Sequence, residues 1–359
     1  MDSVAVLGGG VSGLAAAGQL GKEFDVTVYE KKDRVSGRAK TKRRNGVVFD
    51  CGANYLGIGG NDSKLYDLIE GTSEEVVDIE GDVWIFDREG QISRGKEKDE
   101  LKLSFRDGIE CLGKVLFDRS ETEVRLSDPV ETLTSTEDGW VVKSRTEKSS
   151  YSLVVNSVPP FGMDGIDLEL TNRIDEDAGA DRDGDGDNDL TPAELRELYG
   201  GVEYRSVVCY GLRYSFEPEV PWYGLVNVDK CHDVGWVSRE EFKGGHVPDG
   251  TLLVVQMSPE WSGEYISASE SERKNMDGEV PDRIAELLDE DRFEEPDWID
   301  VEVWRNALPD NQVGDSRVIE RCRQTGLYHC GDWLEGKGRL SLAADSGFKT
   351  AEKIQDKYR

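Results

Sequence analysis

Three glycines near the N-terminus, Gly8, Gly10 and Gly13, have the spacing of a phosphate-binding turn. The apolar run at 4–7 predicts a strand before them, and the alanine-rich run after them predicts a helix. Such a turn lets the backbone approach a pyrophosphate, and the helix N-terminus offers free N–H groups and the positive end of its dipole. The candidate phosphate contacts are Gly8, Gly10, Val11, Ser12 and Gly13.

Glu30 closes the second predicted strand, at 26–29, about 20 residues beyond the glycines. A carboxylate at this distance can accept hydrogen bonds from both hydroxyls of an adenosine ribose, and it disfavours a 2′-phosphate. Lys31 follows it and is also a candidate contact. The first thirty residues therefore predict a dinucleotide-binding strand–turn–helix–strand unit, and the rest of the chain must decide which dinucleotide binds.

The segment after Glu30 resembles the flavin amine oxidase superfamily. That family carries Gly-Gly-Arg-x-x-Thr after the ribose-binding acid and an Asp-x-Gly-Ala run shortly beyond it, as in residues 36–41 and 50–53 here. The resemblance implies that Gly37 and Arg38 bind the FAD pyrophosphate and ribityl chain, and a guanidinium does match phosphate oxygens. Ser36 replaces the family's first glycine, and we expect a serine there to avoid positive φ. The other candidates in this segment are Ala39, Thr41, Gly52, Ala53 and Asn54.

The C-terminal segment resembles the same superfamily, which ends with a strand, Gly-Asp, a glycine-containing loop and a helix. Gly331 and Asp332 match the FAD-binding pair, and residues 342–349 predict the helix. By resemblance, the amides near Ser341 and Leu342 face the flavin N1/O2 edge, where a positive helix end stabilises reduced flavin. Val130 resembles the backbone partner of the adenine. A protein that binds only NAD does not need a C-terminal Gly-Asp pair beside this fold. We therefore expect the cofactor to be FAD, bound non-covalently.

The resemblance also implies the fold class and the domains. We expect an α/β chain with a Rossmann-type FAD-binding domain, glutathione reductase-like, and an interleaved α+β substrate domain built on an antiparallel sheet. The FAD-binding domain is assigned to 1–62, 120–160 and 315–359. The substrate domain is assigned to 63–119 and 161–314, with an acidic insertion at 164–190.

Local matches narrow the resemblance to the renalase-like branch. Residues 221–225, 235–237, 253–262 and 304–307 resemble renalase and its bacterial relatives in order and spacing. The resemblance implies hydride transfer from a small donor, such as one of dihydronicotinamide type, to flavin N5, with dioxygen or another acceptor taking the electrons. Hydride transfer needs alignment and water exclusion more than an acid or a base.

The alternatives to this reaction stay open. Amine oxidases of the superfamily place a lysine on a substrate-domain strand, and the corresponding run at 207–212 has none. A flavin oxidase or desaturase acting on amines or apolar donors, or a non-catalytic flavin-binding protein, remains an alternative. No catalytic residue is assigned, and the three histidines argue against histidine-based acid–base chemistry. The candidate aromatic pocket walls are Tyr55, Trp304, Tyr210 and Trp236.

The composition restricts the partners. With 44 basic and 74 acidic residues the formal net charge is −30, which excludes nucleic acid and anionic membranes as partners. The acidic excess is typical of a cytoplasm of molar salt, so we expect a halophilic archaeal host. No apolar run approaches the roughly 20 residues of a membrane span, and the first strand begins too early for a signal peptide. We therefore expect a cytoplasmic protein whose six cysteines are free thiols.

An acidic run at 183–194 fits a twelve-residue calcium loop in register. Carboxylates occupy its first positions and a glutamate its last, inside a predicted helix at 192–199. An acidic, solvated insertion is the alternative interpretation. The candidate Ca²⁺ ligands are Asp183, Asp185, Asp187, Asp189, Thr191 and Glu194.

Overall fold

A computed structural model describes residues 2–59, 64–96, 100–117, 122–170, 190–314 and 316–358. The helices are α1 Val11–Leu20, α2 Lys64–Glu70, α3 Cys111–Phe117, α4 Pro160–Met163, α5 Pro192–Gly200, α6 Pro259–Ser267, α7 Glu270–Leu288, α8 Ser316–Gln324 and α9 Leu340–Tyr358. The strands are β1 Ser3–Leu7, β2 Asp25–Tyr29, β3 Thr41–Arg44, β4 Val47–Asp50, β5 Leu56–Ile58, β6 Val76–Asp78, β7 Asp82–Phe86, β8 Ile92–Ser93, β9 Leu101–Phe105, β10 Glu123–Arg125, β11 Val130–Thr136, β12 Gly139–Ser144, β13 Lys148–Tyr151, β14 Leu153–Asn156, β15 Asp167–Glu169, β16 Tyr204–Tyr214, β17 Trp222–Asn227, β18 Val234–Arg239, β19 Thr251–Met257, β20 Trp298–Pro309 and β21 Leu327–His329. Within these ranges, every helix is too short or too polar to cross a membrane.

The chain forms two compact units. Unit 1 comprises Met1–Gly37, Gly113–Glu203 and Pro309–Arg359, and unit 2 comprises Arg38–Leu112 and Tyr204–Leu308. The predicted boundaries differ from this division at four places, two of which, 113–119 and 309–314, are short segments that were assigned to the substrate domain and fall in unit 1. Residues 38–62, assigned to the FAD-binding domain, fall in unit 2, and residues 161–203, assigned to the substrate domain, fall in unit 1.

Unit 1 is built on a five-stranded parallel sheet in the order β10-β2-β1-β14-β21. Its central strands β1 and β14 are mostly apolar, and all their residues except Ser3 are buried, as expected for a parallel sheet covered on both faces. Helices α1 and α9 pack closely at Gly347. A Cβ at this position would lie 2.2 Å from the Ser12 carbonyl oxygen, so only glycine fits there. A second sheet, β13-β12-β11-β15, completes the unit.

Unit 2 is built on a seven-stranded sheet in the order β20-β16-β19-β18-β17-β7-β8. The β17–β7 pair is parallel, so the sheet predicted to be antiparallel is mixed. Side chains alternate between its two faces. One face packs in a core with α6 and α7, and the other, which carries Cys209 and Val254, packs against Phe49 of β4.

Candidate functional site

The glycine turn of unit 1 forms an open cradle at the N-terminus of α1. Gly8 has φ +95°, and a Cβ on Gly13 would lie 2.2 Å from the Gly8 carbonyl oxygen, so both positions require glycine. Gly10 is the N-cap, and no side chain caps the helix. A Cβ on Gly10 would meet no atom of the described residues within 4 Å, so the space beside this N-cap residue is open. This cradle, defined by Gly8, Gly10, Val11, Ser12 and Gly13, has the form needed for a pyrophosphate.

Glu30 lies at the end of β2 with only 7% of its surface exposed. One carboxylate oxygen accepts from the Gly9 N–H at 2.7 Å, and the other accepts from the Lys32 N–H at 2.8 Å. A carboxylate has about four acceptor sites, so lone pairs remain for ribose hydroxyls. Lys31 beside it is exposed. The sequence prediction placed this acid correctly after the second strand.

Ser36 contradicts the expectation that it avoids positive φ, because its φ is +76°. Its N–H donates to the Gly9 carbonyl at 2.8 Å, and the residue is 99% buried, since its exposed fraction is 1%. Gly113 packs against its hydroxyl, since a Cβ there would lie 2.1 Å from Ser36 Oγ. These contacts hold the serine in a backbone conformation that costs about 1–3 kcal/mol for any residue other than glycine. Gly37, with φ +57°, continues the turn beside Gly10.

The C-terminal pair follows β21 in unit 1, as predicted. Gly331 has φ +150°, and its N–H donates to Ser346 Oγ at 3.0 Å. Asp332 is buried and begins a short 3₁₀ turn. Helix α9 is longer than predicted and begins at Leu340, so Ser341 and Leu342 lie in its first turn, where N–H groups have no partner within the helix.

The histidine and the cysteine nearest this pair are neutral. His329 is buried, which lowers its pKa to about 3, and its Nε2 is 2.7 Å from the hydroxyl of Tyr199. Burial raises the pKa of the Cys330 thiol to about 12, and it does the same for Cys51 in unit 2. Neutral thiols are poor nucleophiles, so neither cysteine favours a covalent bond to a cofactor.

In unit 2, the turn at 50–54 is closely held. A Cβ on Gly52 would lie 2.0 Å from the Arg38 carbonyl oxygen, and the Ala53 N–H donates to that same oxygen at 3.0 Å. The Arg38 guanidinium donates to the Ala307 carbonyl at 2.9 Å. Two predicted cofactor residues have structural roles: Ala39 is fully buried, and the Thr41 hydroxyl donates to the Asp50 carboxylate at 2.7 Å.

Three side chains of unit 2 donate to carbonyls of this turn. Trp304 Nε1 donates to Cys51 O at 2.8 Å, and Gln256 Nε2 donates to Gly52 O at 3.1 Å. Lys243 Nζ donates to Asn54 O at 2.6 Å. Sequence reasoning identified Trp304 but missed Gln256 and Lys243.

The four aromatic candidates do not share one environment. The Tyr55 ring lies 6.1 Å from that of Trp236, and Trp304 binds the turn. Tyr210 instead lies in the core with α6 and α7, with its hydroxyl donating to Asp277 at 2.8 Å. Since Cys209 faces the opposite side of the sheet, Tyr210 points away from the face that carries Gln256. Tyr210 is therefore not retained as a pocket wall.

A cluster of four buried ionisable groups supports the turn: Asp50, Glu240, Lys243 and His246. All are 0% exposed. Lys243 Nζ lies 2.8 Å from both Asp50 Oδ2 and Glu240 Oε1, and His246 Nδ1 lies 3.0 Å from Glu240 Oε2. Burial opposes the charged forms, but the pKa of Lys243 is still raised by its carboxylates and that of Glu240 is still lowered by Lys243 and His246. No motif signals this ion cluster, because Asp50 is far from the others in sequence.

The calcium prediction is not supported. Thr191 and Glu194 form a capping box at the start of α5: the Glu194 carboxylate accepts from the Thr191 N–H at 2.9 Å and binds Arg321. The Glu194 carboxylate thus serves as a helix cap and as the partner of a cation, and the hydrogen bond from Arg321 lowers the pKa of Glu194. Asp183, Asp185, Asp187 and Asp189 lie outside the described residues.

The parallel sheet and its glycine cradle have the form of a Rossmann-like fold, and residues 6–71 match the family model of the NAD(P)-binding Rossmann-like domain. Polyamine oxidase 5 of Oryza sativa subsp. japonica is 28% identical over 170 residues, 47% of this chain and 32% of that protein. Polyamine oxidase 4 of the same plant is 47% identical over 68 residues, 19% of this chain and 14% of that protein.

The fold extends the similarity to the whole chain. A triple mutant of putrescine oxidase superposes with a TM-score of 0.75 over 99% of both chains, at 17% identity. The two plant polyamine oxidases confirm the predicted similarity to the amine oxidase superfamily, and the solved structure shows that the fold is shared. The matched segments span about a third or less of these two curated relatives, 32% and 14%.

Proposed function

We propose that this chain is an FAD-dependent oxidoreductase that takes a hydride from a small donor. The observation that carries the proposal is the open, uncapped cradle at α1 with Glu30 beside it. The cradle amides bind the pyrophosphate, and Glu30 binds the adenosine ribose. Gly37, Arg38, Gly52, Ala53, Asn54, Val130, Gly331 and Asp332 are the further proposed contacts. FAD, when bound, supplies the hydride acceptor, and dioxygen or another oxidant reoxidises the reduced flavin.

We propose a dihydronicotinamide-type donor, as in the renalase-like branch. The proposal is supported by the side chains available around the turn at 50–54. Strand β16 has Cys209, with a pKa raised well above its usual value by burial, and no lysine. The ammonium of Lys243 already donates to three acceptors, so it has no proton free for a substrate. Tyr55, Trp236 and Trp304 offer flat, apolar surfaces suited to a planar ring.

Amine oxidation is the second candidate, and the similarity to polyamine oxidases favours it. Anaerobic mixing of the flavin-loaded protein with each donor class separates the two. We expect rapid bleaching of the flavin by NADH that contains its misreduced dihydro isomers, and little bleaching by pure NADH or by polyamines. Rapid bleaching by polyamines alone would overturn the donor assignment. Bleaching by none of them, with flavin bound, would favour apolar donors or a non-catalytic flavin protein.

The acidic surface supports a further expectation, that the protein works in a cytoplasm of high salt. With a net charge of −30, repulsion between carboxylates acts over a screening length of about 10 Å at 0.1 M salt but only about 3 Å at 1 M. We expect the midpoint of thermal unfolding to fall when KCl is lowered from molar concentration to about 0.1 M. An equal concentration of NaCl should act as KCl does, and a midpoint independent of salt would contradict the expectation.

A further inference from the structure

The hydrogen bonds of the ion cluster fix its protonation states. Asp50 accepts from the Thr41 hydroxyl, the Ser104 hydroxyl, the Ile109 N–H and Lys243, so every partner of its carboxylate is a donor. Glu240 likewise accepts from the Asp50 N–H, the Asn54 amide and Lys243. Asp50 is therefore ionised, because a proton on its carboxylate would face a donor. The positive charge of Lys243 lowers the pKa of Glu240 despite its burial and so favours the ionised form of that acid as well.

His246 must then carry two protons. Its Nε2 lies 2.9 Å from the Phe105 carbonyl oxygen, which can only accept, so Nε2 donates. Its Nδ1 lies 3.0 Å from the ionised Glu240, so Nδ1 donates too. The cluster thus holds two carboxylates, one ammonium and one imidazolium, with no net charge. Charge balance and complete pairing are the conditions under which ionised groups persist in a protein interior.

The side chains of the cluster form hydrogen bonds with both ends of the turn at 50–54. Glu240 accepts from the Asp50 N–H at 3.1 Å at one end and from Asn54 Nδ2 at 3.2 Å at the other. Lys243 binds the Asp50 carboxylate and the Asn54 carbonyl at the same two ends. Tyr223 donates to Asn54 Oδ1 at 2.5 Å, so the orientation of the Asn54 amide is fixed.

We propose that Asp50, Glu240, Lys243 and His246 form a charge-balanced positioning device that holds the turn at 50–54 in its cofactor-binding shape. This inference rests on the proposed function, because it takes Gly52, Ala53 and Asn54 as FAD contacts. Lys243 and Glu240 are positioning residues: their hydrogen bonds are all directed into the cluster and the turn, and they exchange no proton with a substrate. A turn held this firmly places its backbone for binding before the cofactor arrives.

The test compares two double variants that each remove one cation and one anion. Asp50→Asn/Lys243→Met keeps the cluster neutral but releases the Asn54 carbonyl. The matched control is Glu131→Gln/Lys143→Met, which removes a surface pair of 3.0 Å in unit 1. For the first variant we expect at least a tenfold rise in the FAD dissociation constant and faster hydrogen exchange at the amides of 51–53. The control should stay within twofold of the wild type in both measurements.

Unchanged FAD affinity and unchanged exchange in the first variant would overturn the proposal. A wild type that binds no FAD would refute the proposed function, whereas the exchange measurement would still test the positioning role without cofactor. If the double variant does not fold, Glu240→Gln carries the test, because its amide can donate to a neutral His246. There we expect a singly protonated His246 ring by nitrogen NMR, against a doubly protonated ring in the wild type. A neutral ring in the wild type would overturn the charge assignment.

Discussion

A valine in place of Gly10 is expected to abolish FAD binding while the protein still folds. Gly10 has φ −78°, which valine adopts without strain, and among the described residues a Cβ there meets no atom within 4 Å. The added branches would instead fill the space over the N-terminus of α1, where the pyrophosphate is proposed to lie. We expect FAD affinity to fall at least about a hundredfold, equivalent to about 2.7 kcal/mol or more of binding free energy. Flavin fluorescence titration measures it.

Two further glycine variants serve as controls for the loss of FAD binding in Gly10→Val. Gly13→Ala places a Cβ 2.2 Å from the Gly8 carbonyl oxygen, so we expect it to lose both FAD and thermal stability. Gly278 lies in the exposed middle of α7 with open space around it. The variant Gly278→Ala should keep FAD binding while stabilising the helix by about 0.5–1 kcal/mol. Normal FAD affinity in Gly10→Val would place the pyrophosphate elsewhere.

Replacing Lys243 alone with methionine is expected to destabilise the protein by about 3–5 kcal/mol. The variant leaves Asp50 and Glu240 with a single buried counter-charge, on His246, and deprives the Asn54 carbonyl of its donor. The free energy of unfolding from urea titration in high salt measures the loss.

Lys143→Met is the matched single variant, because Lys143 pairs with Glu131 on the surface, where an ion pair contributes about 0–1 kcal/mol. The charge-balanced double variant Asp50→Asn/Lys243→Met should be more stable than Lys243→Met itself, since it leaves no uncompensated charge. If Lys243→Met were no less stable than Lys143→Met, the cluster would not stabilise this protein.

The cradle could be predicted from the sequence because its parts are local. Gly8, Gly10, Gly13 and Glu30 lie on consecutive elements, where glycine spacing and strand length fix their relation. Ser36 could not be predicted in the same way. Its positive φ is held by Gly9 and Gly113, and the second of these is distant in the chain.

The ion cluster could not be predicted from the sequence for a related reason. Asp50 ends β4, whereas Glu240, Lys243 and His246 follow β18, and nothing in either segment indicates that they meet. Charged residues are usually exposed, so a glutamate and a lysine in a glycine-rich segment suggest a surface loop. Only the packing of β4 against the seven-stranded sheet brings them together.

Two other predictions depended on choosing between patterns that fit the same residues. Thr191 and Glu194 match both the end of a calcium loop and a capping box, and the structure shows the capping box. Tyr210 lies on the predicted strand, but strand alternation alone does not say which face meets the core. The core with α6 and α7 decides this for Tyr210 and leaves Cys209 on the other face.

The visible spectrum of the protein, purified in molar KCl and supplied with FAD, shows whether this chain binds the flavin. We expect an oxidised flavin spectrum that stays with the protein through gel filtration, with a single FAD per chain. We also expect the same preparation of Gly10→Val to be colourless while its circular dichroism matches the wild type. A folded wild-type protein that stays colourless after reconstitution would contradict the cofactor assignment and every residue role that depends on it.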